Sequence, residues 1–189
     1  MTDSIMENTL ELKDVLYDAI SHYGEKRIFS DIVQGDSPDV INTIVEHCLT
    51  NLEKLEESKP EMRGALAEGL LHYLLTIALI PSQRKTSFES VDIDVAIPDT
   101  KTLSSSPQDV ILISFPKTDN PELVKSQINK IKSIQPNTNN IWVVVDDNIK
   151  LDAKVYSIKK DGLAFANIIN DLISFSSNKK QSKLKIFKI

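Results

Sequence analysis

Apolar residues recur every three to four positions along the first part of the chain, which is the period of an amphipathic α-helix. The pattern predicts a first helix over residues 9–22, a second helix from Ser37 and a third from Pro60. Ser37 is a favoured N-cap residue, and the proline that follows it suits the first position of a helix. The third helix is apolar on nearly every side over residues 64–79. We therefore expect it to be the most buried of the three.

Beyond residue 80 the apolar pattern takes the alternating or continuous form that is typical of β-strands. Strands are predicted over residues 91–97, 110–115, 141–145 and 154–158, with a weaker one within 82–90 and helices from Asn120 and over 162–175. A strand–helix–strand step requires a crossover connection, which makes the two strands parallel. The sequence thus predicts an α/β fold with an N-terminal helical extension.

The length and composition fit an ordinary folded domain with an extension. The chain has 189 residues, of which 41% are hydrophobic and 26% are charged. Its most apolar stretch, residues 69–80, is shorter than the roughly 20 residues that a bilayer crossing needs. Cys48 is the only cysteine, so no intrachain disulfide is predicted, and its apolar surroundings favour a buried, inert thiol. No secretory signal is evident, and we expect a cytoplasmic protein without a membrane partner.

Charge is distributed unevenly along the chain, whose net charge is −5. Residues 1–60 contain 5 Lys+Arg and 13 Asp+Glu, whereas residues 151–189 contain 8 Lys+Arg and 3 Asp+Glu. The acidic balance argues mildly against tight, non-specific binding of nucleic acid by the whole surface. The acidic first segment favours a solvated surface, and the basic tail leaves both a solvated and a binding role open.

A thin set of polar residues occurs in a suggestive order. Gly64 and Glu68 stand four residues apart in the third helix, Asp94 lies in the alternating strand, and Lys117 follows the next strand. In this order, residues 58–176 resemble the PD-(D/E)XK (restriction-endonuclease-like) superfamily. The resemblance implies a central mixed sheet flanked by helices. It further implies that Glu68 and Asp94 are metal ligands and that Glu68, Asp94 and Lys117 form the catalytic set.

The third part of that motif is incomplete. The family pattern places an acidic residue two positions before the lysine, but Phe115 stands two positions before Lys117. If Ser114 takes the place of the acid, the position of the lysine falls on Pro116. Some relatives carry a catalytic residue on the following helix, where Lys125 and Gln127 are the candidates.

Two other pairs of acids allow alternative interpretations. Asp92 and Asp94 lie on one face of a strand, which suits either a metal pair or a solvent-facing surface. Asp146 and Asp147 follow a predicted central strand, where turn formation is favoured over metal binding.

The tail carries a short pattern of its own. Gln181, Leu184 and Phe187 fall at the offsets of the sliding-clamp-binding box, to which this segment is similar, although Lys188 replaces the last aromatic residue. A C-terminal strand or a frayed tail is the favoured alternative. The predicted division is therefore an N-terminal helical extension (1–57), an α/β core (58–176) and a basic tail (177–189).

The incomplete motif leads to two main functional hypotheses. The preferred one is a catalytically degenerate nuclease-fold protein that acts as a binding or scaffold module in DNA or RNA metabolism. It implies a protein partner from a nucleic-acid-processing complex, with nucleic acid as a further candidate ligand and residues 9–57 as a candidate interface for a partner or for a homodimer. The alternative is an active Mg²⁺-dependent nuclease with a migrated catalytic residue, and Mg²⁺ is the cofactor under that alternative alone. An unrelated α/β domain is a third, less specific interpretation.

Overall fold

Four helices form the first part of the molecule in a computed structural model that describes residues 2–54, 59–147, 149–159 and 164–185. They are α1 (Thr2–Tyr23), α2 (Glu25–Gln34), α3 (Ser37–Lys54) and α4 (Pro60–Ile77). The three predicted helices are confirmed as α1, α3 and α4, and Pro60 occupies the first turn of α4 as expected. Helix α2 was not predicted.

A five-stranded mixed sheet follows the helices. It contains β1 (Gln83–Phe88), β2 (Val91–Ile97), β3 (Ile111–Ser114), β4 (Ile141–Val145) and β5 (Lys154–Ser157) in that spatial order. The pairs β1–β2 and β2–β3 are antiparallel, whereas β3–β4 and β4–β5 are parallel. The parallel arrangement of β3 and β4, the weak strand before β2 and the mixed sheet are all confirmed.

The described residues form three further α-helices, α5 (Thr100–Ser105), α6 (Pro121–Ile134) and α7 (Ile168–Lys185). Helix α6 matches the helix predicted from Asn120, whose side chain caps it by accepting hydrogen bonds from the first turn. The last helix begins later than residue 162 and continues past residue 175, so the segment 177–185 is helical rather than extended.

The sheet is covered by helices on both faces, because its residues alternate between two apolar clusters. Helices α1–α4 and α7 pack on one face, where Ile111 and Ile113 of β3 point. Helices α5 and α6 pack on the other, where Leu112 points. In the described ranges, no helix combines the length and the apolarity that a membrane crossing requires.

Candidate functional site

Asp94 lies beside the carboxyl end of β3 because of the pairing between β2 and β3. Val95 of β2 is opposite Ile113 of β3, which brings Asp94 next to Ser114. The backbone N–H of Phe115 donates a hydrogen bond of 2.7 Å to Asp94 Oδ2, and Ser114 Oγ lies 3.3 Å from the same oxygen. Neutral donors from one strand end therefore hold this carboxylate in place.

Helix α6 adds a third member to this hydrogen-bonded group. Gln127 Nε2 donates to Ser114 Oγ at 2.9 Å, so that Gln127, Ser114 and Asp94 form a chain. Lys125, by contrast, pairs with Glu122 on the surface of the same helix at 3.0 Å. Of the two residues considered for a migrated catalytic role, the structure brings only Gln127 to the site.

Glu68 lies on α4 and is 8% exposed. Its Oε1 accepts a hydrogen bond from Nη2 of Arg84, a residue of β1, at 3.0 Å. Arg84 is opposite Val95 in the β1–β2 ladder, one residue along β2 from Asp94. Sequence reasoning did not single out Arg84, because the weak β1 pattern gave no register from which to place it.

Lys117 is exposed and follows β3 after Pro116. Burial raises the pKa of Asp94 above its usual value, and the charge of Glu68 acts in the same direction. The hydrogen bonds from Phe115 and Ser114 and the charge of Lys117 partly oppose that rise in the pKa. The charges of Glu68 and Lys117 thus both act on Asp94, and a shared catalytic role of the three residues stays a prediction.

Glu68 and Lys117 line a cleft of about 440 Å³ between α1, α4 and β1. Leu12, Leu16, Met62, Ala65, Leu66 and Gly69 supply its apolar surface. Its charged residues are four cations, Lys13, Arg84, Lys85 and Lys117, and two acids, Glu61 and Glu68. The cleft therefore carries a local excess of positive charge in a protein whose net charge is −5.

Helix α4 passes close to the segment that follows β3. A Cβ atom added at Gly64 would lie 3.5 Å from the carbonyl oxygen of Pro116. That distance is an ordinary van der Waals contact, so α4 lies close to the strand end at Gly64, one turn before Glu68, without requiring a glycine there.

Comparison with known proteins identifies the architecture. No family model and no curated protein matches the sequence. Among solved structures, the complex of the restriction endonuclease PspGI with substrate DNA matches 88% of this chain and 93% of its own chain, with a TM-score of 0.59 at 12% identity. The chain has a restriction-endonuclease-like fold.

Two structures of Ecl18kI with uncleaved DNA, both metal-depleted and one with modified DNA, are more distant. Their TM-scores are 0.46 and 0.47, each at 15% identity. They cover 94% and 88% of this chain, which in turn spans 67% and 64% of theirs.

The restriction-endonuclease-like fold implies Mg²⁺, but the side chains at this site do not suit that ion. Among residues 2–54, 59–147, 149–159 and 164–185, no three histidine, cysteine, aspartate or glutamate side chains are grouped closely enough to hold a metal ion. Arg84 already neutralises Glu68, and β3 supplies Ser114 where an acid is expected. A dication would also be repelled by Arg84 and Lys117.

The other acidic pairs take structural roles in this fold. Asp146 accepts hydrogen bonds from Arg63 of α4 at 2.6 and 2.5 Å and pairs with Lys159 at 3.0 Å. Asp147 pairs with the same lysine at 3.2 Å. Asp92 is exposed, and Cys48 is fully buried, which raises its pKa to about 12.

The predicted clamp-binding residues cannot be placed in a site. The backbone of Gln181 and Leu184 belongs to α7, but their side chains lie outside the described part of the chain, as does Phe187. Their role in binding a sliding clamp stays a prediction.

Proposed function

We propose that this protein is a catalytically degenerate nuclease-fold module that binds nucleic acid without cleaving it. The observation that carries this proposal is the pairing of Glu68 with Arg84 at 3.0 Å. Glu68 is one of the two expected metal ligands, and in this structure it is paired with a permanent positive charge of the chain. Since β3 contributes no carboxylate, Asp94 is the one expected metal ligand that has no basic partner at hydrogen-bond distance among the described residues.

The charge of the cleft supports a polyanionic ligand. Four of its six charged residues are cationic, and Arg84 compensates one of the two acids. Phosphate contacts of this kind supply most of the affinity of proteins for nucleic acid, independently of sequence. PspGI, the solved protein of similar fold, is itself in complex with DNA.

The protein partner predicted from the sequence remains part of the proposal. Helix α2 exposes Phe29 and Val33, with 53% and 71% of each residue accessible. These residues lie within the segment 9–57 that was nominated as an interface for a partner or a homodimer. Their exposure supports an interface in this segment without identifying the partner.

The proposal is tested by calorimetric titration with Mg²⁺ and Mn²⁺, together with cleavage of labelled single- and double-stranded DNA and RNA. We expect the wild-type protein to show neither saturable metal binding nor cleavage. We also expect it to bind at least one of the labelled nucleic acids and to leave it intact. A Gln127→Glu variant provides the positive control, because it places a second carboxylate next to Ser114 and Asp94. That variant should gain Mn²⁺ binding, since two carboxylates and water suit a hard cation.

The matched control is Asn129→Glu, which adds the same charge to an exposed position of α6. It should gain no metal binding. Metal-dependent cleavage by the wild-type protein that is lost in Asp94→Ala would overturn the proposal in favour of an active nuclease. Failure of the wild-type protein to bind any of the four nucleic acids would overturn it as well.

A further inference from the structure

Arg84 is an unusual neighbour for a nuclease-type carboxylate, because it brings a permanent positive charge to the position where a metal ion is expected. Its side chain is 28% exposed, and the Glu68 side chain with which it pairs is 10% exposed. A guanidinium keeps its proton at any physiological pH. The positive charge next to Glu68 is therefore built into the chain and does not depend on a bound ion.

The guanidinium also keeps unused hydrogen-bonding capacity. Nη2 donates to Glu68, whereas the buried Nε–H has no hydrogen-bond partner in the described part of the chain. An orphaned buried donor destabilises the folded state and calls for an explanation. An oxyanion that enters the cleft after a small movement of the side chain would satisfy it.

Three other positive charges share the cleft with Arg84. Lys13 of α1, Lys85 and Lys117 all line it. Asp94 follows in the next strand, held by neutral donors from the end of β3. The arrangement attracts an anion and disfavours a second cation.

We propose that Arg84 takes the place of the divalent cation in this cleft, so that a phosphodiester group is held by Arg84 and Lys117 without a metal ion. This inference rests on the proposed function and names the way in which the ligand is held. Glu68 fixes the guanidinium, which can then present its remaining N–H groups to the phosphate oxygens in the manner of bidentate arginine–phosphate pairs. A guanidinium supplies charge but no bound water of lowered pKa, so the phosphodiester is held and remains intact.

The test measures binding of a labelled 20-nucleotide DNA by fluorescence anisotropy, first in EDTA and then in Mg²⁺. We expect the dissociation constant of the wild-type protein to agree within about twofold in the two buffers. An Arg84→Gln variant should bind about tenfold more weakly in EDTA, with a salt dependence reduced by about one unit of slope. Mg²⁺ should restore part of its affinity, because Glu68 is then free to accept a cation.

Two variants guard against an unfolding artefact. Lys132→Gln removes the same charge from a side chain that is also 28% exposed and also paired with an acid, Asp152, and its affinity should stay within about twofold of wild type. Arg84→Lys keeps a positive charge next to Glu68 but lacks the planar fork of donors that pairs with a phosphate, so it should bind at least about threefold more weakly than wild type in EDTA, which decides the matter should Arg84→Gln fail to fold.

The outcomes separate this inference from the proposed function. Binding that disappears in EDTA, or that is equally strong in wild type and Arg84→Gln, would overturn the role of Arg84 and leave a non-cleaving nucleic-acid-binding protein. Binding by Arg84→Lys that equals that of wild type would overturn it too. Absence of binding in both buffers would defeat the proposed function itself.

Discussion

At the scale of single residues, the two carboxylates of the site differ in how their charge is compensated. Glu68 has a cation at 3.0 Å, whereas Asp94 accepts its short hydrogen bond from the backbone of Phe115. Burial is the main cause that raises the pKa of Asp94, and the charge of Glu68 adds to it. The ionised form of Asp94 is therefore tolerated at a cost to the folded state.

This cost predicts a pH-dependent effect of Asp94→Asn. Folding raises the pKa of Asp94. Between the pKa of Asp94 in the unfolded state and its higher pKa in the folded state, the folded protein therefore binds more protons than the unfolded one. The wild-type protein should lose stability as the pH rises through that window, and Asp94→Asn should not. We expect the stability of the variant to rise relative to that of wild type between pH 3 and pH 7. Chemical denaturation across this pH range measures the difference.

Asp92→Asn is the matched control, since Asp92 is exposed on the same strand two residues away. It should show no comparable relative gain. A parallel dependence on pH for wild type and Asp94→Asn would contradict the assignment of this cost to Asp94.

At the scale of elements, the sequence predicts best those segments in which burial follows one clear period. Helix α3 buries a continuous stripe, and β3 and β4 are buried along their whole length. Helix α2 escaped prediction although Ile28, Phe29, Ile32 and Val33 recur at the helical period, because it is only 10 residues long and Gly24 indicated the end of the preceding helix. Packing then buries Ile28 and Ile32 and leaves Phe29 and Val33 exposed.

Helix α5 is a second short element that periodicity does not reveal. Leu103 is its one buried residue. The helix begins because Asp99 Oδ1 accepts a hydrogen bond of 2.6 Å from the Thr102 N–H. Aspartate is favoured both at the start of a helix and in a turn. The local sequence therefore could not distinguish a short helix from a turn here.

The candidate site shows the same division between local and tertiary information. The motif names Glu68, Asp94 and Lys117, of which Glu68 and Lys117 line the cleft, whereas Asp94 is held at the end of β3. The position of Arg84 depends on the register of β1 against β2, and no local sequence pattern specifies that register. The residue that changes the electrostatics of the site was therefore the one that sequence reasoning could not find.

A buried ion pair joins α4 to the end of β4. We expect a substitution in this pair to lower the free energy of unfolding markedly. Arg63 and Asp146 have side chains that are 11% and 10% exposed. Arg63→Met should lower the free energy of unfolding by about 3 kcal/mol near neutral pH, because it leaves a buried carboxylate with Lys159 as its remaining ion-pair partner. Urea denaturation measures this loss.

The same substitution has a predicted pH dependence. Burial opposes the charge of Asp146, but the hydrogen bonds from Arg63 and Lys159 outweigh burial and lower its pKa. A carboxyl group whose pKa is lowered by folding stabilises the folded state at a pH above its pKa in the unfolded state. This stabilisation is lost as the pH falls through its pKa in the folded state. The deficit of Arg63→Met should therefore shrink in acid. Arg27→Met, at a side chain that is 71% exposed, should cost less than about 0.5 kcal/mol, and an equal loss in both variants would refute the role of the buried pair.

At the scale of the whole molecule, the N-terminal helices share one core with the sheet and the last helix. Buried residues of α1, α2 and α3 belong to the same apolar cluster as α4 and α7. Ser37 Oγ donates a hydrogen bond of 2.7 Å to Asn170 Oδ1, which links α3 to α7. Leu16 of α1 lies 3.2 Å from the position that a Cβ at Gly69 would take, so α1 packs closely on α4 beside the cleft.

This shared core gives the predicted boundary at residue 57 a direct test. A chain of residues 58–189 would expose the apolar faces of α4 and α7 that α1 and α3 cover. We expect it to lack a cooperative thermal transition by circular dichroism and to be digested quickly by protease, since the exposed surface removes much of its driving force for folding. Adding residues 1–57 as a separate peptide should restore both properties. If the truncated chain unfolds cooperatively by itself, residues 1–57 are an extension on an autonomous α/β core, and the lysine that α1 contributes to the cleft is an addition to a site that forms without it.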